Sequence, residues 1–241
     1  MADALSLIIS SEINSVATRI AETTVAINNL VAERVFGHGF DVSSYLGKLR
    51  EAAEKTSPQS INTSFYQKVF KPVFSQFLQK DPRRSYEPKS AVLRWKPFVE
   101  QASTKYGVPK ELLYAIIHQE SGGDPSAKAS RSSAAGLMQF ITATADTVGL
   151  KTGSGIDERM DPSKAIDAGA RLLSDSLRRF NGDVSMAVMA YHQGDPTASK
   201  IYKNAMEGRF SEALQPLMRW DAEGLKYIPS VVGLMESYRG I

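Results

Sequence analysis

"IIHQESGGDPSAKASRSSAAGLMQF", residues 116–140, joins the end of an apolar helix to a loop of small and polar residues. Leu112, Ile116 and Glu120 are four residues apart, so they share one face of a helix predicted to begin near Pro109. Glu120 therefore ends an apolar stripe. Burial disfavours the charged carboxylate and raises its pKa, which is the property that a general acid needs near neutral pH. For Glu120 alone, a carboxylate reaching solvent at a helix end is the alternative.

The composition is that of a globular protein. The chain has 241 residues, of which 42% are hydrophobic and 23% are charged, and it is long enough for one large domain or a medium domain with an arm. The formal net charge of +3 is small and evenly spread, which argues against a nucleic-acid-binding protein. The absence of cysteine excludes disulfides and thiolate metal sites. Because the sequence has no metal or nucleotide motif, we expect no cofactor and no metal site.

The first residues do not resemble a transport signal. Residues 1–15 lack the basic region of a secretory signal. No stretch of the sequence reaches the roughly 18 apolar residues of a membrane span. If the protein acts outside the cytoplasm, we expect delivery by something other than a standard signal, or a signal that lies outside this sequence.

The N-terminal third is predicted to be a helical arm, residues 1–87. Between residues 3 and 35, apolar side chains recur at spacings of three and four, as in a heptad seam. This helix either packs on its own domain or docks on a partner or a second copy. Residues 80–90, with two prolines and mixed charge, are the predicted boundary. Two more helices are predicted in the arm, over 41–56 and 64–79.

Residues 88–241 are predicted to form a second, all-α domain of short helices. Asp161 and Pro162 give one of these helices a cap and a first turn. There is no alternating strand pattern, although residues 149–160 leave room for a short β-ribbon. His118 points away from the face of Glu120 and is expected to lie at the surface or to pack on a loop. The predicted helices cover 90–106, 109–121, 137–148, 162–180, 183–192 and 197–207.

Four motifs in this domain occur in an order that resembles the catalytic domain of lytic transglycosylases of the soluble type. The resemblance covers about residues 92–235. It implies a lysozyme-like, all-α fold and cleavage of the β-1,4 bond between N-acetylmuramic acid and N-acetylglucosamine in peptidoglycan. The motifs are E-S at 120–121, G-L-M-Q at 136–139, A-Y-H-Q-G at 190–194 and E-x-x-x-Y at 223–227.

The resemblance implies a role for individual residues. Glu120 matches the catalytic acid of the family, and Gly122 and Gly123 are expected to leave room for the sugar beside it. The residues implied to bind substrate are Ser121, Ser130, Met138, Gln139, Tyr191, His192, Glu223 and Tyr227.

This sequence departs from the family pattern in two places. The family usually has Asn-Ala where this chain has His192 and Gln193, so an imidazole hydrogen bond from His192 would replace that of the asparagine. The loop between the first two motifs is about one residue longer than in the family. Ser132 and Ser133 therefore remain alternatives to Ser130 as the serine that contacts the muramic acid.

A glycosidase ordinarily uses two carboxylates. The four acidic residues of 121–160 fall in no motif, and a single strong carboxylate fits the transglycosylase reaction, in which the C6 hydroxyl of the substrate closes on C1 to give a 1,6-anhydro product. A hydrolytic muramidase and a structural, glycan-binding component of a wall-crossing assembly are the alternatives. The implied setting is the periplasm or cell wall, reached as part of a virion or secretion machine docked through 1–87. The four acidic residues are Asp124, Asp146, Asp157 and Glu158.

Overall fold

The computed structural model describes residues 85–207 and 222–241, together with the single positions 71 and 213. The predicted heptad seam, the helices at 41–56 and 64–79 and most of the predicted boundary lie outside the described residues. The described residues fall into two compact units. One contains residues 85–192 and 226–241, and the other contains residue 71 and the described residues between 193 and 225.

The described chain is mostly helical, which confirms the predicted all-α class. Among the described residues, no helix combines the length and the apolar character needed to cross a membrane. The helices are α1 Ser90–Leu93, α2 Lys96–Tyr106, α3 Lys110–Ser121, α4 Thr142–Thr147, α5 Pro162–Arg179, α6 Val184–Gln193, α7 Asp195–Met206 and α8 Ala222–Ser237.

Helix ends follow local chemistry. Gly107 and Gly122 end α2 and α3 in the left-handed conformation, with φ of 66° and 61°, which glycine adopts without steric cost. Asp161 caps α5 by accepting a hydrogen bond from the Lys164 N–H, and Pro162 occupies the first turn. These signals were visible in the sequence, and the helices predicted over 109–121 and 162–180 are confirmed.

Two predicted helices differ from the structure. The helix expected over 90–106 is interrupted at Arg94 and Trp95, which separate α1 from α2. The helix expected over 137–148 is wrong in its first half, because only α4 is helical there and residues 136–140 form a turn. The carbonyl of Phe140 accepts the Ala135 N–H at 3.2 Å, so this backbone closes a local loop.

The third helix, α3, is largely buried within its unit. Every side chain from Leu112 to His118 is buried, as expected for a helix that is enclosed all round. The prediction that His118 lies at the surface or against a loop is therefore wrong. His118 is 7% exposed, and its Nδ1 lies 3.0 Å from the hydroxyl of Tyr238, the residue that follows α8.

The alternative of a short β-ribbon within 149–160 is confirmed. Strands β1, Thr152–Gly153, and β2, Ile156–Asp157, pair antiparallel. Ser154 and Gly155 connect them with positive φ values of 52° and 80°, as in the tight turns that suit two-residue hairpins. A 3₁₀ turn at Glu158–Met160 then leads into α5.

Candidate active site

Glu120 lies in the last turn of the buried helix α3. The residue as a whole is partly exposed, but protein surrounds most of its carboxyl group. Burial raises the pKa of Glu120 from its ordinary value of 4.5 to about 7, against the opposing effect of a hydrogen bond from Tyr227. Both protonation states are thus accessible near neutral pH.

Two tyrosines lie beside this carboxyl. The Tyr227 hydroxyl donates a hydrogen bond to Oε1 of Glu120. The Tyr191 hydroxyl donates to the carbonyl of Met138 at 2.7 Å. Burial, and then the nearby charge of Glu120, raise the pKa of each phenol well above its ordinary value. Both tyrosines therefore remain neutral hydrogen-bond donors over the pH range in which Glu120 titrates.

His192, on α6, covers one face of Tyr227. Its ring is nearly parallel to the phenol, at an angle of 8°, with 3.9 Å between the ring centroids. Tyr227 is only 5% exposed, whereas His192 is exposed. The imidazole is therefore the outer layer of an aromatic pair whose inner member contacts the acid.

Ser121 ties the end of α3 to the G-L-M-Q motif. Its hydroxyl lies 2.9 Å from the carbonyl of Leu137 and 3.1 Å from that of Ile117, and it accepts the Gly123 N–H at 3.2 Å. Since a serine hydroxyl has one proton, it is shared between the two carbonyls. The Ser121 hydroxyl is thus engaged within the protein and holds the first two motifs together.

The G-L-M-Q segment is a strained turn. Gln139 has a φ of 47°, which is unusual for a residue other than glycine. Its side-chain Nε2 donates to the carbonyls of Ala127 and Gly136, at 3.1 and 2.9 Å, and these bonds offset the backbone strain. Gln139 therefore closes the loop that begins after α3.

Arg159 stabilises the same loop, between α3 and α4, through hydrogen bonds to its backbone. Its guanidinium, which is buried, donates to the carbonyls of Ser133 and Phe140 and to the carboxylate of Asp157. Gly136 lies against it so closely that an added Cβ would be 1.7 Å from the Arg159 carbonyl oxygen. Arg159 was not predicted as a site residue, because a lone arginine in a charged stretch carries no motif. Its one local signal is the carboxylate two residues earlier.

The structure places the side chain of Met138 in the core. It is fully buried, and its end packs where Gly169 of α5 leaves room for it. Its backbone carbonyl, by contrast, accepts the Tyr191 hydroxyl. Met138 thus faces the predicted site with its backbone and the core with its side chain.

The three candidate serines occupy an exposed loop and differ in their partners. The Ser132 hydroxyl oxygen accepts the Ala134 N–H, and that of Ser133 accepts the Thr142 N–H. Within the described residues, the Ser130 hydroxyl makes no hydrogen bond to protein. Of the three, Ser130 is the one whose hydroxyl is not already used to shape the loop.

The two glycines after Glu120 have a structural explanation. Both have positive φ, and a Cβ on Gly123 would come within 2.5 Å of the Ala91 backbone. The Gly123 carbonyl accepts the Trp95 indole N–H at 3.0 Å. The turn and the close approach to α1 therefore account for Gly123 without reference to a ligand.

The other acidic residues of this region are held by local partners. Asp124 accepts two hydrogen bonds from Ser126 in a turn. Asp157 pairs with Arg159, and Glu158 accepts from Lys164 and from a backbone N–H. Asp146 lies exposed on α4. Asp124, Asp157 and Glu158 thus each have a structural role, and Glu120 stays the predicted acid.

The last predicted motif is described only in part. The backbone of Glu223 belongs to α8, but its side chain lies outside the described part of the structure, so its role stays a prediction. The structure brings Glu120, Tyr227, His192 and Tyr191 together.

Comparison with known proteins also finds similarity to transglycosylases. Residues 97–213 match the family model of the transglycosylase SLT domain. The chain is 36% identical over 110 residues to a transglycosylase of Enterobacteria phage PRD1, covering 46% of this chain and 38% of that protein. It is 38% identical over 97 residues to the peptidoglycan transglycosylase gp16 of Escherichia phage T7, covering 40% of this chain and 7% of that protein. The chain thus spans less than half the length of these relatives.

The fold also has a solved counterpart. The 70-kDa soluble lytic transglycosylase, determined in complex with bulgecin A, aligns with a TM-score of 0.51 and 18% identity, covering 83% of this chain and 31% of that one. This likeness supports the predicted lysozyme-like, helical fold.

Proposed function

We propose that this protein is a lytic transglycosylase that cleaves peptidoglycan between N-acetylmuramic acid and N-acetylglucosamine, since residues 97–213 match the family model of the transglycosylase SLT domain. The observation that carries the proposal is Glu120, a carboxyl whose burial raises its pKa to about 7 beside a neutral tyrosine donor. A group with this pKa donates a proton and takes one back at neutral pH.

In the first step, Glu120 protonates the glycosidic oxygen, and the bond from that oxygen to C1 of the muramic acid breaks. Since Tyr227 donates its only proton to Oε1, the proton that leaves is the one on Oε2. Tyr227 also stabilises the carboxylate that forms, because a hydrogen bond to the charged form favours it. The N-acetyl group of the substrate helps to stabilise the positive charge that develops at C1.

In the second step, the Glu120 carboxylate takes the proton of the C6 hydroxyl of the same muramic acid. The hydroxyl oxygen closes on C1 and gives the 1,6-anhydro product, which restores the acid. The nucleophile belongs to the substrate, so orientation replaces a second carboxylate. The structural roles of Asp124, Asp157 and Glu158 are consistent with this one-carboxylate reaction.

Other residues of the proposed site contribute contacts or positioning. The free hydroxyl of Ser130, within the described residues, is our candidate for the muramic acid contact. Tyr191 and His192 line the site beside the acid. Ser121, Gln139 and the backbone of Met138 hold the wall of the cleft in place. Glu223 remains a proposed substrate contact on the strength of its motif.

The test is digestion of purified peptidoglycan, with the products identified by mass spectrometry. We expect anhydro-muropeptides from the wild type and at least about 10³-fold less from Glu120→Gln, since a general acid and base is removed. Glu111→Gln, in the first turn of the same helix, is the matched control and should retain activity. Reducing muramic acid ends would instead support a muramidase, and binding without cleavage would support a glycan-binding component.

We also propose that the protein works at the cell wall as part of a larger assembly, to which residues 1–87 attach it. The predicted heptad seam and the similarity to two phage transglycosylases support this idea. Such an assembly, a virion or a secretion machine, would need a local opening in the wall. Light scattering on the full chain and on Ile13→Glu/Ile20→Glu, each with and without candidate structural proteins, tests the attachment. Equal masses for both proteins under all conditions would argue against it.

A further inference from the structure

His192 and Tyr227 form a stacked pair in which only the outer ring is exposed. The two rings are nearly parallel, and 3.9 Å separates their centroids. The hydroxyl of the inner ring, Tyr227, donates to Oε1 of Glu120. The imidazole of His192 thus contacts Tyr227, and Tyr227 in turn contacts Glu120.

The backbone around Tyr227 makes this contact more important. Pro229 lies inside α8, two residues after Tyr227. Proline has no backbone N–H, so the helix lacks one of its i to i−4 hydrogen bonds across the turn that contains Tyr227. The position of the phenol therefore depends more than usual on contacts made by its side chain.

A phenol that is covered on one ring face cannot tilt toward that side. Because a hydrogen bond weakens steeply as its angle departs from linearity, even a modest tilt would weaken the bond to Oε1. His192 stands where the family motif usually has asparagine. An asparagine side chain has no ring to stack on Tyr227, so the stacking depends on the histidine of this chain.

We propose that His192 is a positioning residue: its imidazole, stacked on Tyr227, holds the phenol so that the hydroxyl stays directed at Oε1 of Glu120. This inference rests on the proposed function, and it differs from a direct hydrogen bond between His192 and the sugar. A stacking role requires a planar ring at 192, whereas a direct bond requires a polar group. Substitutions can separate the two.

The experiment compares three single variants of the full chain: His192→Ala, His192→Phe and His192→Asn. For His192→Ala we expect kcat to fall by about tenfold with KM changed by less than about twofold, the pattern of a lost transition-state interaction. His192→Phe should recover kcat to within about threefold of the wild type, and His192→Asn should behave as His192→Ala. Recovery by Asn and not by Phe would overturn the proposal in favour of a direct polar contact.

A double-mutant cycle with Tyr227→Phe tests whether His192 acts through the hydroxyl. Residues that act through one another are non-additive. We therefore expect His192→Ala to change kcat by less than about twofold in the Tyr227→Phe background. Fully additive losses would show that His192 acts by another route, and would overturn the proposal.

A measurement without substrate separates this inference from the proposed activity. The hydrogen bond from Tyr227 lowers the pKa of Glu120, so loosening it should raise that pKa. NMR titration of the ¹³C-labelled Glu120 carboxyl should show a higher pKa in His192→Ala and in Tyr227→Phe, and an unchanged one in His192→Phe. An unchanged or lower pKa in His192→Ala would refute the positioning role, even if the wild type proved inactive on peptidoglycan.

Discussion

The raised pKa of Glu120 predicts that this carboxyl, our proposed catalytic acid, destabilises the folded protein at alkaline pH. In the unfolded chain the carboxyl has its ordinary pKa of 4.5, and in the folded chain the pKa is about 7. Between these values the folded state holds a proton that the unfolded state has lost. Stability therefore falls as pH rises from 4.5 to 7, and the penalty is complete above that range.

The size of the penalty follows from the same two values. At 1.36 kcal/mol for each pH unit between them, it amounts to about 3 kcal/mol. Glu120→Gln has nearly the same shape and no charge, so it avoids the penalty. The variant should be about 3 kcal/mol more stable than the wild type at pH 8 and should lose this advantage near pH 4.

Urea denaturation of both proteins between pH 4 and pH 8, followed by tryptophan fluorescence, measures this difference. The control is Glu158→Gln. The backbone N–H of Lys151 and the side chain of Lys164 lower the pKa of Glu158 below 4.5, so the stability that the wild type gains over this variant is complete just above pH 4.5 and should then stay constant up to pH 8. A stability difference for Glu120→Gln that stays constant from pH 4 to pH 8 would refute the reasoning.

Two further changes test the packing around the site. Gly136→Ala should lower the free energy of unfolding by about 2–4 kcal/mol in thermal or urea unfolding, because φ at this position is positive and the added Cβ would lie 1.7 Å from the Arg159 carbonyl oxygen. The control, Gly107→Ala, also has a positive φ but open space around the added Cβ, so it should cost only about 1 kcal/mol. Equal costs for the two variants would contradict the predicted clash. The Tyr114 hydroxyl is buried without a hydrogen-bond partner among the described residues, so Tyr114→Phe should stabilise the protein by about 1 kcal/mol. Tyr238→Phe is the control: it loses hydrogen bonds to a backbone N–H and to a buried histidine and should destabilise the protein by about 1–3 kcal/mol. A loss of stability in Tyr114→Phe would show that the Tyr114 hydroxyl has a hydrogen-bond partner.

The sequence predicted best where the signal was local. Gly107, Gly122 and Asp161 marked helix ends correctly, because capping depends on a few adjacent residues. The placement of Glu120 at the buried end of a helix was also correct, since the i, i+4 spacing is a property of the helix itself.

The sequence was misleading where tertiary contacts decide. The apolar residues at 137–140 have the composition of a helix, yet Arg159 binds the Phe140 carbonyl from another part of the chain and the Gln139 side chain binds back to Ala127. His118 was expected at the surface or against a loop because it points away from the face of Glu120, but the Tyr238 hydroxyl, 120 residues later in the chain, lies against its ring. No periodicity within a segment reports such partners.

The properties of Glu120 depend on two opposing influences that come from distant parts of the chain. Burial at the end of α3 alone would raise the pKa further and favour a group that keeps its proton. The hydrogen bond from Tyr227, 107 residues away in the sequence, lowers it again. A residue that must first release a proton and then recover one needs both forms within reach at the same pH. The balance between a buried helix end and a single phenol donor satisfies that need with one carboxyl, and the proposed role of His192 is to keep that donor in place.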